Sequence, residues 1–290
     1  MDQAESLRRM MRNQRRMTSP TNTTKGIQIF AIASGKGGVG KTNFVVNLAI
    51  GLQRRGKRVL IIDADLGMAN IDVALGIRPQ YTLHDVLFYG KSLKETLVVG
   101  PEGIQVLPGG SGIMEMATLD VRKQEALAEE FTSLEDVDII LIDTGAGISK
   151  NLLSFITFSQ ELIIITTPEP TALTDAYSLM KVLSQYRLKK NIRVVINRCL
   201  NEGVAQNSFI KLLRTSNTFL NIELENLGYI LEDQRVAQSI MEQVPFIIKY
   251  PKCPASKCMD SITERFLGFN SNRKIRSIQQ VYQRLMKVFG

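Results

Sequence analysis

The sequence predicts a three-layer α/β fold, a mostly parallel twisted sheet with helices on both faces. Three observations predict it: short runs rich in Ile and Val recur along the 290 residues, helix-like stretches alternate with them, and a glycine-rich loop separates the first run from the first helix. A strand buried on both faces of a parallel sheet reads as a nearly continuous apolar run. Alternation of such runs with helices is the pattern of a sheet wrapped on two sides. At 44% hydrophobic and 22% charged residues the chain has the apolar material for a sizeable core, and its length fits one large α/β domain.

In chain order, residues 1–25 form a flexible arm. Residues 18–24, with Pro20 and no apolar side chain, link it to the body. Strands are expected at 27–33, 59–62, 104–107, 139–142, 162–165 and 194–196. Helical stretches fall at 43–55, 122–131, 173–187 and 209–213. Residues 269–272 separate the last body helix from a terminal segment. The division is therefore an arm at 1–25, a body at 26–272 and an amphipathic helix at 273–290.

In such sheets ligands sit at the carboxyl ends of the strands, and there the chemistry is concentrated. Gly35-Lys36-Gly37-Gly38-Val39-Gly40-Lys41-Thr42 fits G-x-x-x-x-G-K-[ST], after a strand and before a helix, the context this phosphate loop requires. Glycines let the backbone curl with its N–H groups inward, and the following helix adds its positive end, so phosphates are cradled. Lys41 is expected to reach the β- and γ-phosphates, and the Thr42 hydroxyl to bind Mg²⁺. Hard Mg²⁺ takes oxygen ligands and keeps water, so a carboxylate after a neighbouring strand can hold it. Asp143 takes that role, with Asp63 as a second contributor; Asp65 orients or deprotonates the attacking water. The competing reading of each aspartate is a helix cap.

Charge and cysteine content exclude other classes. Of the net +8, residues 1–25 hold six bases against two acids and residues 273–290 hold five bases and no acid, leaving the body slightly acidic. Basicity confined to the ends disfavours a nucleic-acid-binding body and favours tails that meet acidic partners or anionic membrane. The chain has no run of 18 apolar residues and no apolar segment near its start, so a cytoplasmic protein is expected. Cys199, Cys253 and Cys258 are too few and too irregular for a disulfide framework, and read better as ordinary thiols than as a metal site.

The second lysine of the loop, Lys36, together with Asp63-Ala64-Asp65-Leu66-Gly67-Met68-Ala69-Asn70 and Asp143-Thr144-Gly145-Ala146-Gly147, resembles the deviant Walker A ATPases, the group containing MinD and ParA. The resemblance covers about residues 27–267. It implies that the nucleotide is ATP and that ATP closes a homodimer in which Lys36 crosses to the partner's phosphates. A cation there would neutralise charge developing during phosphoryl transfer. Asn197 and Arg198 match an adenine-contacting pair. Gly228-Tyr229-Ile230-Leu231-Glu232-Asp233 matches a base-contacting turn that includes Glu232, although Leu231 stands where relatives commonly have proline. Thr167-Pro168-Glu169-Pro170 resembles a segment near the dimer face, or is simply a loop opening a helix.

Both tails narrow the expectation. In residues 273–289 the apolar Ile275, Ile278, Val281, Tyr282, Leu285, Val288 and Phe289 recur at three- and four-residue steps, with bases mainly on other faces. A basic amphipathic helix suits an anionic membrane surface, with Ile275, Ile278, Tyr282, Leu285 and Phe289 as its apolar contacts; docking on the body is the alternative. This is similar to the membrane-targeting end of MinD, and implies reversible attachment at the inner face of the cell membrane. At the other end, Asp2-Gln3-Ala4-Glu5-Ser6-Leu7-Arg8 opens with a capping-box-like pair. Such a short helix orders on a partner. The run resembles the Asp-Gln-Ala-x-x-Leu-Arg motif of the FlhG family (YlxH, FleN), MinD-like regulators of flagellar number and placement. That resemblance implies that Asp2, Gln3, Leu7 and Arg8 contact FlhF, a signal-recognition-type GTPase, with flagellar C-ring components as further partners. A MinD-like division-site regulator and a ParA-like DNA-partitioning ATPase are the competing classes.

Overall fold

A computed structural model of the chain describes residues 27–65, 70–109 and 137–268. Its strands are β1 (Gln28–Ala33), β2 (Val59–Ala64), β3 (Val98–Val99), β4 (Gln105–Pro108), β5 (Ile139–Thr144), β6 (Glu161–Thr166), β7 (Asn191–Cys199) and β8 (Glu223–Leu231). Its helices are α1 (Lys41–Arg54), α2 (Ile71–Leu75), α3 (Leu83–Tyr89), α4 (Leu93–Thr96), α5 (Lys150–Phe158), α6 (Pro170–Gln185), α7 (Glu202–Phe219), α8 (Gln234–Met241), α9 (Phe246–Lys249) and α10 (Pro254–Gly268). The strands form one sheet in the order β3-β4-β2-β5-β1-β6-β7-β8. Among the described residues only β3, at the edge, runs antiparallel to its neighbour.

Successive strand residues point to opposite faces, and the core divides accordingly. Phe30, Ile32, Val59, Ile61, Leu141 and Ile163 pack on one face with α1 and α10. On the other, Ile29, Leu60, Ile62, Ile140 and Ile142 meet α3 and α5, while Ala31, Ile164, Val194 and Ile196 meet α5, α6 and α7. Removing each such side chain from water contributes about 1.5–3 kcal/mol, which is why the continuous runs of Ile and Val settle as central strands. The three-layer α/β class follows.

Several boundaries differ from the expectation, for physical reasons. The stretch 209–213 extends to an 18-residue helix, α7, opened by Asn201, whose side chain accepts from the Val204 N–H; its many exposed polar residues disguise the apolar stripe. β8 is an unanticipated strand. As an edge strand it is half exposed and mixes Glu223, Glu225 and Asn226 with apolar residues, so it lacks a continuous run. Gly228 to Leu231 therefore belong to a strand rather than a turn, and Glu232 follows it. The expected helix at 122–131, the arm and the segment 273–290 lie outside the described residues.

Candidate functional site

The carboxyl edge of the sheet gathers the loop and the acids. The loop between β1 and α1 is held by two close approaches. A Cβ on Gly35 would fall 2.3 Å from the Asp175 carbonyl of α6, and one on Gly40 would fall 2.4 Å from Asn197 Nδ2. That Asn197 amide donates to the Val39 carbonyl at 2.8 Å. Asn197, expected to face a base, also pins the phosphate loop. It does so from a bulge at the end of β7, where Arg198 takes a left-handed φ of 54° and its N–H is accepted by Asn197 Oδ1 at 2.9 Å. Bulges beside sites re-aim side chains in this way.

Lys41, at the first turn of α1, lies 2.5 Å from Asp143 Oδ1, and both are buried. Burial pushes the Asp143 carboxyl above its ordinary range; the Lys41 ammonium opposes that shift, and the Thr42 side chain, next in the chain, also favours the charged form. The second oxygen of Asp143, Oδ2, is buried and has no hydrogen-bond partner among the described residues. Asp63 sits beside it: β2 and β5 register Asp63 against Asp143, both inside the strand ends rather than beyond them. Burial first, then the charge of Asp143, pushes the Asp63 carboxyl up to about 7. The Asp65 N–H donates to Asp63 Oδ1 at 3.2 Å, and Asp65 Oδ1 stands 3.5 Å from where a Cβ on Gly145 would be. Three carboxylates, one with a bare buried oxygen, beside a hydroxyl make an all-oxygen donor set that fits Mg²⁺.

Lys36 turns outward. Its ammonium is 3.2 Å from Glu169 Oε2 and 3.2 Å from Thr171 Oγ1, at the start of α6 in the same chain, and is partly exposed. Beneath it opens a cavity of about 200 Å³ lined by Lys36, Gly37, Gly38, Val39, Thr167, Glu169 and Arg198. Glu232 shares the edge, exposed, its N–H donating to the Cys199 carbonyl at 2.9 Å. The structure therefore brings together Gly35 to Thr42, Asp63, Asp65, Asp143, Asn197 and Arg198, with Glu232 farther along the edge, beyond β8. Thr167, Glu169 and Thr171 join them; Thr167 and Glu169 fall in the segment 167–170 that resembles one near a dimer face or a loop opening a helix, and only the fold sets it against the phosphate loop. Asp2, Gln3, Leu7, Arg8, Ile275, Ile278, Tyr282, Leu285 and Phe289 lie outside the described residues. The Cys199 and Cys253 thiols are buried, and burial pushes Cys199 up to about 12, away from reactivity.

A parallel sheet with a phosphate loop after its central strand and acids on the adjacent strands defines a P-loop nucleoside triphosphatase. Residues 27–196 match the family model described as an AAA domain. The chain is 36% identical over 240 residues to the antiactivator FleN of Pseudomonas aeruginosa, covering 82% of this chain and 86% of that one. It is 32% identical over 271 residues to the flagellum site-determining protein YlxH of Helicobacter pylori, covering 91% of each. Among solved structures, the septum site-determining protein MinD of Pyrococcus horikoshii with Mg-ADP superposes with a TM-score of 0.63 at 28% identity, covering 83% of this chain and 96% of that one. The chain belongs to this AAA-domain family, in its MinD/ParA branch, and is an ATPase.

Proposed function

We propose that this ATPase is a dimerising switch that acts at the membrane to set the number or placement of flagella. The placement of Lys36 carries the switch: a partly exposed ammonium at the lip of the phosphate loop, held among the described residues by the surface groups of Glu169 and Thr171, is positioned to exchange Glu169 for the phosphates of a second copy. Glycines and Lys41 cradle ATP, while Thr42, Asp143 and Asp63 hold Mg²⁺. Bound there, the ion would neutralise charge on the β- and γ-phosphate oxygens. Asp65, on the same edge and less buried than Asp63, orients the attacking water. Asn197, Arg198 and Glu232 line the base side. ATP must bind the dimer better than the monomer for the switch to work, and hydrolysis resets it.

The flagellar reading is supported by the similarity to FleN and YlxH and by the Asp2 to Arg8 motif. In it the arm stimulates a signal-recognition-type GTPase through Gln3, and the 273–290 helix attaches the dimer to anionic lipid. The MinD likeness in structure favours a division-site regulator as the second reading. A peptide of residues 1–25 should accelerate GTP hydrolysis by the FlhF-type GTPase, and its Gln3→Ala form should not. No acceleration by the unmodified peptide would leave the division-site reading in place.

A further inference from the structure

We propose that Thr167 is a substrate-contacting residue of this ATPase, its hydroxyl donating a hydrogen bond to a phosphate oxygen of the nucleotide. The inference rests on the reading of the carboxyl edge as the nucleotide site.

Thr166 ends β6 and Thr167 follows it, with 1% and 2% of their surfaces exposed. Among the described residues neither hydroxyl has a hydrogen-bond partner. Leaving such a group buried and unpaired costs about 1–3 kcal/mol. Other threonines of the chain avoid the penalty by donating to carbonyls, as Thr144 does to Ile32, Thr157 to Leu153 and Thr263 to Met259. An orphaned polar group in a folded protein calls for an explanation, and a missing ligand is one.

Only Thr167 of the two lines the 200 Å³ cavity. The same cavity is lined by Lys36, Arg198, Gly37, Gly38 and Val39, two basic residues against the single acid Glu169. The surplus of positive charge selects an anionic oxygen. Pro168, the next residue, has no N–H, so the turn has one backbone donor fewer and the buried Thr167 hydroxyl is a donor without an acceptor among the described residues. Thr166, equally buried and equally unpaired but absent from the cavity wall, is an internal control.

The test uses the full chain, with Mg-ADP and a non-hydrolysable Mg-ATP analogue as probes and with thermal melting and equilibrium binding as readouts. Thr167→Val keeps the shape and removes the hydroxyl. Without nucleotide it should melt no lower than wild type, since an unpaired group has been deleted. A hydrogen bond to a charged group contributes about 1.5 kcal/mol or more, so its nucleotide affinity should fall about tenfold or more. Thr167→Ser should bind within about threefold of wild type, and Thr166→Val should bind as wild type does. Undiminished affinity in Thr167→Val, or an equal loss in Thr166→Val, would overturn the proposal. So would a nucleotide-free Thr167→Val protein that melts well below wild type, because the hydroxyl would then have a structural partner. Failure of the wild-type chain to bind either nucleotide would instead refute the site reading itself.

Discussion

Asp63 carries a residue-scale consequence that can be measured without nucleotide. Burial and the neighbouring Asp143 raise its carboxyl from 3.8 to about 7 in the fold, whereas in the unfolded chain it titrates as an ordinary aspartate. Below about pH 3.8 both states hold the proton; between the two values only the folded state does. Its stabilising contribution is therefore complete at low pH and is lost as pH rises towards 7. The shift in Asp143 acts in the same direction. Asp63→Asn, which never ionises, should gain on wild type across this window, by a few kcal/mol at pH 8 and by much less at pH 5. Urea denaturation at the two pH values checks this, and an advantage independent of pH would contradict it. Of the site, the residue types and their edge were legible in the sequence. The roles of Asn197 as a pin and Glu169 as the partner of Lys36 were not, because each contact spans more than 130 residues of chain.

At the scale of elements, α1 shows tertiary packing prevailing over local propensity. Gly51 lies inside this helix, where glycine costs about 1 kcal/mol relative to alanine. Yet a Cβ there would stand 2.7 Å from Thr263 Oγ1 of α10, which is itself fixed by its bond to the Met259 carbonyl. The missing side chain lets the two helices approach on the face that holds Phe30 and Phe266, whose rings are 4.3 Å apart. Gly51→Ala should thus destabilise the protein by about 1–3 kcal/mol despite its better helix propensity, read as a lower urea midpoint with an unchanged slope. A gain in stability would mean that α10 can shift freely. The central strands were legible because each is apolar throughout. β8 was not, since an edge strand is patterned by solvent on one side and by α7 and α10 on the others.

For the whole molecule, charge distribution makes the testable statement. The described body has no helix long and apolar enough to cross a membrane, and the surplus of bases lies in residues 1–25 and 273–290. Attachment by one amphipathic helix is weak, and pairing two in a dimer strengthens it through effective concentration. With ATP and Mg²⁺ the full chain should co-sediment with anionic liposomes several-fold more than with ADP. The chain lacking residues 273–290 should fail to do so while keeping its ATP affinity, and neither should follow DNA. Sedimentation with DNA but not with liposomes would move the protein to the partitioning class.

The sequence by itself determined the sheet's central strands, the phosphate loop and the identity of the acids, because burial on two faces and the demands of a triphosphate each leave a local pattern. Tertiary structure alone decided which groups meet: the Lys41–Asp143 pair, the Asn197 pin, the outward turn of Lys36 and the unpaired hydroxyl of Thr167. Those depend on parallel crossovers that set distant strand ends side by side, and no spacing within a single segment encodes that distance.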